Sequence, residues 1–119
     1  MSASSVQGIK TVLHPVSDVD KAKTVYTALL GVEPQADSEY YVGYDVAGQH
    51  IGLLPGGGPQ GLTSPVAYWH VDDIEAKVAD LTAAGATVKD APNQVGGGRV
   101  VASVVDADGN VLGLIEDKG

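Results

Sequence analysis

One phrase occurs twice in this chain, and that repetition limits the folds open to it. Val16-Ser17-Asp18-Val19-Asp20-Lys21-Ala22 runs into Val25-Tyr26-Thr27-Ala28-Leu29-Leu30-Gly31. The second copy begins at Val71, 55 positions after Val16, as Val71-Asp72-Asp73-Ile74-Glu75-Ala76 and then Val78 to Gly85. Each copy reads as a strand end, a capped amphipathic helix and a glycine stop. Each is followed by short strands closing on a matching apolar phrase, Ile51-Gly52-Leu53-Leu54 and Leu112-Gly113-Leu114-Ile115. A supersecondary unit used twice directs attention to the faces the two copies share in kind.

In the first copy Gly8 to Val16 is expected as a strand, with Ser17 or Asp18 capping a helix. Val19, Ala22, Val25, Tyr26 and Leu29 are expected on the buried face of that helix. A short strand near Val32 to Ala36 follows, then Tyr40 to Val46, a tight turn at Ala47-Gly48, and Gln49 to Leu54. Residues 55–64, rich in glycine and proline, read as a linker. Pro65 to Val71 opens the second copy, with Asp72 or Asp73 as cap and Ile74, Val78 and Leu81 on the buried face. Ala86 to Lys89 is expected as a strand, Ala91 to Gly98 as a glycine-rich loop, and Arg99 to Val105 and Val111 to Glu116 as the closing strands. Asp106-Ala107-Asp108-Gly109-Asn110 makes the turn between them. The expected organisation is one domain over 1–119, with module one at about 8–54 and module two at about 65–117. Each module runs strand, helix, strand, strand, strand. Neither triple-glycine run precedes a helix, so neither is a phosphate cradle.

Composition removes several classes of function. The 119 residues include no cysteine, which excludes disulfides, thiolate metal sites and cysteine nucleophiles. Net charge is −8 and Arg99 is the only arginine, so a polyanion such as nucleic acid would be repelled. No apolar run reaches the ~20 residues of a membrane helix. The small, polar N-terminus lacks a signal-peptide pattern, and the expected location is the cytoplasm.

The same phrases resemble the vicinal oxygen chelate superfamily, which groups glyoxalase I, bleomycin-resistance proteins and extradiol dioxygenases. The matching residues are Val16-Ser17-Asp18-Val19 through Gly31, Val71-Asp72-Asp73 through Gly85, and Asp106-Ala107-Asp108-Gly109-Asn110 with Gly113-Leu114-Ile115-Glu116. The resemblance implies an α+β fold, two tandem βαβββ modules forming a curled mixed sheet around an open cleft. Enzymes of that superfamily hold a divalent metal with His, Gln or Glu from the first and last strands of each module. The corresponding positions here are Thr11, Gly52, Val66 and Gly113, none of them such a ligand. The expectation is therefore no metal, no cofactor and no catalytic residue, in a protein like the resistance branch that binds a small hydrophobic or aromatic molecule, antibiotics included. The alternative is a small lyase, isomerase or oxygenase-like enzyme using His50 or His70. Short two-module relatives usually pair, so a homodimer is expected.

Period-two alternation selects the ligand-facing set within that resemblance. Thr11, Leu13 and Pro15 fall together, as do Val66, Tyr68 and His70. From the closing strands come His50, Gly52, Leu54, Val111, Gly113 and Ile115. With Tyr41 and Tyr44 from a neighbouring strand and Arg99 at a strand start, the expected ligand contacts are Leu13, Tyr41, Tyr44, His50, Gly52, Leu54, Val66, Tyr68, His70, Arg99 and Gly113. The two glycines are expected to leave room for a ligand ring against the sheet. Each choice has a plainer competitor. His50 and His70 could be packed histidines or a substitute metal pair, and the tyrosines ordinary strand residues. Arg99 could be a solvated cation. His14 and Trp69 fall on the opposite, helix-facing side as core. Asp72-Asp73 is a helix cap before it is a carboxylate pair, and Asp106 and Asp108 lack the later glutamate of a calcium loop.

Overall fold

The computed structural model describes residues 6–58 and 61–118. Residues 1–5 of the N-terminal stretch, and Pro59 and Gln60 of the linker, lie outside the described residues. The fold is α+β, built from two βαβββ modules. Module one contains β1 (Val6–Val16), α1 (Val19–Leu30), β2 (Ala36–Asp37), β3 (Val42–Val46) and β4 (Gln49–Pro55). Module two contains β5 (Val66–Val71), α2 (Ile74–Ala83), β6 (Thr87–Gly96), β7 (Arg99–Val105) and β8 (Val111–Asp117). Contacts group Lys10–Val66 as one compact unit and Ala67–Gly119 as the other, and the first residues of β1 group with the latter.

The modules repeat one strand plan. In module one the order is β2-β3-β4-β1, with β1 parallel to β4 and the other pairs antiparallel. In module two it is β6-β7-β8-β5, with β5 parallel to β8. The helix supplies the crossover that a parallel pair requires. Its caps follow the sequence: the Asp18 carboxylate accepts from the Lys21 amide at 3.2 Å, and Asp73 accepts from the Ala76 amide at 3.1 Å. Helix α2 gains a second, long-range cap. Glu116 at the end of β8 accepts from the Ile74 amide at 2.8 Å, fixing the helix start against its own sheet.

Each sheet gives one face to its helix. Val42, Tyr44 and Leu53 are fully buried beneath Val19, Ala22, Tyr26 and Leu30. In module two Val71, Ile74, Val100, Ala102 and Leu114 pack with Val78 and Leu81. The buried stripe of α1 thus differs from the expected one. Leu30 faces the sheet, whereas Val25 and Leu29 are 63% and 73% exposed. His14 faces α1 as expected, edge-on to Tyr26 with ring centroids 5.3 Å apart. Trp69 does not sit in the core and is 37% exposed.

Two other segments depart from expectation. Residues 91–96 extend β6 rather than forming a loop. Pro92 is tolerated because the pairing of β6 with β7 breaks register between Asp90 and Asn93, where no ladder amide is required of it. The strands expected near Val32 to Ala36 and at Tyr40 to Val46 are found at Ala36–Asp37 and Val42–Val46, and Ser38 ties the chain between them into a turn closed on Tyr41. The Asp106 turn forms as read, with the Asp106 carboxylate accepting from the Asp108 and Asn110 amides, each at 2.9 Å.

The β3–β4 hairpin turns on Ala47 and Gly48, at φ 53° and 76°. Positive φ at both central residues is the geometry that suits Asn-Gly, and an alanine there carries a steric cost of about 1 kcal/mol. Ala47→Asn should therefore raise unfolding free energy by about 0.5–1 kcal/mol in urea denaturation.

Burial lowers the pKa of His14 from its ordinary 6.5, partly offset by the Gly52 backbone, and its buried Nδ1 has no hydrogen-bond partner among the described residues. The unfolded chain then binds a proton that the folded chain resists. The stability involved is present above pH 6.5 and is lost as pH falls toward the depressed folded value. His14→Phe should flatten that part of the stability-versus-pH curve, as followed by thermal melting at a series of pH values.

Candidate functional site

On the face of module one turned away from α1, the register aligns a compact set of side chains. Gly43 pairs with Gly52, Asp45 with His50, Leu13 with Gly52, and Thr11 with His50. Directly paired residues share a face, so Thr11, Leu13, Gly43, Asp45, His50 and Gly52 project to one side. Tyr41 joins them just ahead of β3. Its amide donates to the Ser38 hydroxyl at 3.1 Å, and its carbonyl accepts from the Ser38 amide at 3.0 Å. That turn delivers the ring across the two glycines. A Cβ added at Gly43 would lie 2.8 Å from the Tyr41 ring and 2.9 Å from His50, and one at Gly52 would meet Leu13 at 2.6 Å and the Tyr41 hydroxyl at 2.7 Å.

His50 is held at both ring nitrogens. Nδ1 lies 2.7 Å from the Asp45 carboxylate, and Nε2 shares a hydrogen bond with the Tyr41 hydroxyl. The two rings stack at 15° with centroids 5.9 Å apart. A carboxylate can only accept, so Nδ1 carries the proton, and in the neutral ring Nε2 accepts from the phenol. Asp45 is itself positioned, its amide donating to the Gln35 side-chain carbonyl at 2.6 Å. The result is a chain Asp45–His50–Tyr41 running from an exposed carboxylate to a half-buried phenol.

Module two repeats the ring-over-glycine device with other polar partners. Tyr68 is 2% exposed, and its ring lies 2.6 Å from the Cβ position of Gly113. Beside it the Ser103 hydroxyl donates to Asp90 at 2.8 Å. Burial, and then the Asp90 charge, raise the pKa of the Tyr68 phenol, which keeps it protonated. Along β5, His70 is 8% exposed with Nδ1 3.5 Å from Asp117, and Arg99 donates to the same carboxylate at 2.9 Å. Val66, on the same strand, is 4% exposed.

The sequence-selected residues therefore separate into two groups. Leu13, Tyr41, His50, Gly52 and Leu54 share the module-one face, while Tyr68, His70 and Gly113 share the module-two face. Tyr44 is corrected. It lies on the opposite side, fully buried, its hydroxyl 2.9 Å from that of Thr27 and donating to the Lys23 carbonyl at 3.2 Å on α1. Arg99 is ion-paired with Asp117 rather than solvated alone. The room expected above Gly52 and Gly113 is taken by the rings of Tyr41 and Tyr68.

Comparison with known proteins fits this geometry. Residues 8–114 match the model of the glyoxalase/bleomycin resistance protein/dioxygenase superfamily. The chain belongs to that superfamily. A protein named probable lactoylglutathione lyase, from Vibrio cholerae, is 33% identical over 118 residues, covering 87% of this chain and 86% of its own. Among solved structures, methylmalonyl-CoA epimerase from Mycobacterium tuberculosis aligns with a TM-score of 0.75 at 18% identity, over 100% of this chain and 93% of that one. The Mn(II)-bound glyoxalase from Novosphingobium aromaticivorans aligns with a TM-score of 0.74 at 21% identity, over 98% of this chain and 41% of that one.

The divalent metal associated with the superfamily's enzymes does not fit the residues found here. Of Thr11, Gly52, Val66 and Gly113, only Thr11 has a side-chain donor, a buried hydroxyl that ligates cations poorly. At both glycines the Cβ direction, where a ligating side chain would begin, runs into a tyrosine ring. Among the described residues no group of three or more His, Asp and Glu could hold a metal ion.

Asp45 is the site residue that sequence reading missed, and a signal for it existed. A two-residue hairpin at Ala47-Gly48 fixes the pairs Val46–Gln49 and Asp45–His50, which places the carboxylate beside the imidazole. The ring-over-glycine contacts give a direct test. Gly113→Ala should cost about 1–3 kcal/mol in urea denaturation, because Tyr68 is too buried to yield. Gly52→Ala should cost less, since Tyr41 is half-buried and can shift.

Proposed function

We propose that this superfamily member binds a small, neutral, hydrophobic or aromatic molecule without a metal, using the Tyr41–His50 platform of module one. The observation that carries this reading is the pair of near-parallel, half-buried rings over a glycine floor, flanked by Leu13. Such a surface offers stacking area with a polar edge, the composition typical of small-molecule sites. Burying ~300 Å² of apolar ligand surface is worth about 7 kcal/mol at ~25 cal/mol/Å². Immobilisation removes several kcal/mol of this, so the stack and the ring heteroatoms decide useful affinity. The net charge of −8 favours neutral or cationic guests over anions. An antibiotic-sequestering role and a homodimer belong to the same reading, and light scattering on the purified protein tests the latter.

A second reading is enzymatic. It is favoured by the chain Asp45–His50–Tyr41 and by the lactoylglutathione lyase name of the Vibrio relative. Against that relative's chemistry stand the missing metal donors, whereas acid–base work by organic side chains is compatible with them.

A thermal-melting screen against neutral and cationic aromatic compounds, run with a chelator present, tests the binding reading. A saturating hit at 100 times its Kd should add about 2.7 kcal/mol of stability, and Tyr41→Ala should weaken it at least tenfold. Absence of any response across the panel, or hits that appear only on adding a divalent cation, would remove this reading.

A further inference from the structure

Helix α1 carries an apolar ridge that its own module leaves uncovered. Val25 and Leu29, one turn apart, are 63% and 73% exposed. Isolated exposed aliphatics are ordinary, but the duplicated helix supplies a control within the chain. With Val16 set on Val71, Val25 corresponds to Asp80 and Leu29 to Ala84, a charged and a small residue, both exposed. The fold therefore does not require aliphatic side chains at these places. The helices also differ in enclosure: α2 has Ile74 fully buried, whereas no residue of α1 is.

Charge selects what covers the ridge. Lys21 lies in the first turn of α1, and the exposed Glu33 follows just beyond its Gly31 cap. Each charge thus stands at the end of the helix dipole that disfavours it, and the last turn of α1 contains no basic residue. Among the described residues neither side chain has an ion pair or hydrogen bond. The spacing is symmetric, since Val25 and Leu29 are equidistant from Thr27, and so are Lys21 and Glu33.

We infer that the outer face of α1 is a self-complementary interface, on which a second copy of this chain lays its own α1 antiparallel about a two-fold axis at Thr27. Val25 then meets Leu29 of the partner subunit, and Lys21 meets Glu33 of the partner subunit. Each charge is offset at the end of the partner's helix that favours it. The exposed, small Thr24 and Ala28 flank the ridge and let the helices approach. A helix of 12 residues is about 18 Å long and covers less than the ~800 Å² per partner of a standard interface. The dimer is accordingly weak and concentration-dependent. This interface rests on the homodimer of the reading above and is independent of what the open face binds.

Sedimentation velocity of the intact chain from roughly 1 μM to 1 mM tests this, with circular dichroism checking the fold. Salt is held near ~0.1 M, which screens the repulsion between two chains of net −8 beyond ~10 Å but spares a contact pair. Wild type should pass from monomer to dimer within that range. Val25→Asp combined with Leu29→Ala, which gives α1 the residues of α2, should raise the dimer Kd at least about tenfold with helix content retained. Lys21→Glu and Glu33→Lys should each raise it about threefold or more, and the two together should bind more tightly than either alone. Only opposition of the two positions across the interface gives that recovery. A dimer indifferent to the Val25/Leu29 variant, or a charge exchange without recovery, overturns this interface and leaves the homodimer standing. Monomer at every concentration removes both. If the apolar variant fails to fold, the charge series decides alone.

Discussion

A tyrosine ring laid on a glycine is the contact around which each module's open face is organised. A strand position without Cβ lets an aromatic ring lie almost against the sheet, and the ring then fixes what stands beside it. In module one that ring is Tyr41 over Gly43 and Gly52; in module two it is Tyr68 over Gly113. The opposite face of each sheet is committed to a helix, so period-two alternation leaves no other side for these rings. At Gly52 and Gly113, where the superfamily resemblance would place ligands, packing by a ring stands instead. What a carboxylate or imidazole would do from those positions, a ring now prevents by occupying their approach.

The repeated device carries different polar equipment in its two copies. Module two surrounds Tyr68 with the Ser103–Asp90 bond and holds His70 near the Asp117–Arg99 pair, all on a face where Tyr68 and His70 are nearly inaccessible. Desolvation there raises the Tyr68 pKa, which leaves a neutral phenol suited to donating a hydrogen bond inside the fold. Module one leaves Tyr41 and His50 half-buried and extends their chain to an exposed carboxylate. Duplication has thus left one copy built for rigidity and the other with groups that a solute can reach.

Most of the architecture was legible because it rests on local signals. The caps, which fell to Asp18 and Asp73 of the two candidates at each helix start, the Gly31 stop, the Ala47-Gly48 turn and the Asp106 turn are all short-range chemistry and formed where they were read, whereas α2 caps at Ala84, one residue before Gly85. Faces were legible wherever alternation was applied strictly. Tyr41 and Tyr44 stand three residues apart and could not both point the same way, so selecting both ensured that one was wrong. The structure shows it was Tyr44, whose hydroxyl is claimed by α1. Leu29 and Leu30 illustrate a subtler limit. Both fit a helical stripe of 3.6 residues per turn, and only the seat of α1 on β3 and β4 separates them. The Pro92 segment shows the same limit in a strand, because a bulge that excuses a proline depends on its neighbour's register.

The site was harder to read than the fold because a glycine shows only that a side chain is missing. Reading Gly52 and Gly113 as vacant ground for a guest ignored the nearest candidates to fill it, which are the chain's own aromatics. That revision narrows what the protein can do. With donors absent and rings in their place, the groups left on the module-one face are an imidazole, a phenol and a carboxylate in one hydrogen-bonded line. Such a line can hold a molecule by its edge or move a proton to and from it, and it has no means of polarising an oxygen as a cation would. Charge then disfavours anionic guests: an anion on this face would sit beside Asp45 in a chain carrying a net −8. Coulomb repulsion within the ~8–10 Å screening length at ordinary salt opposes it.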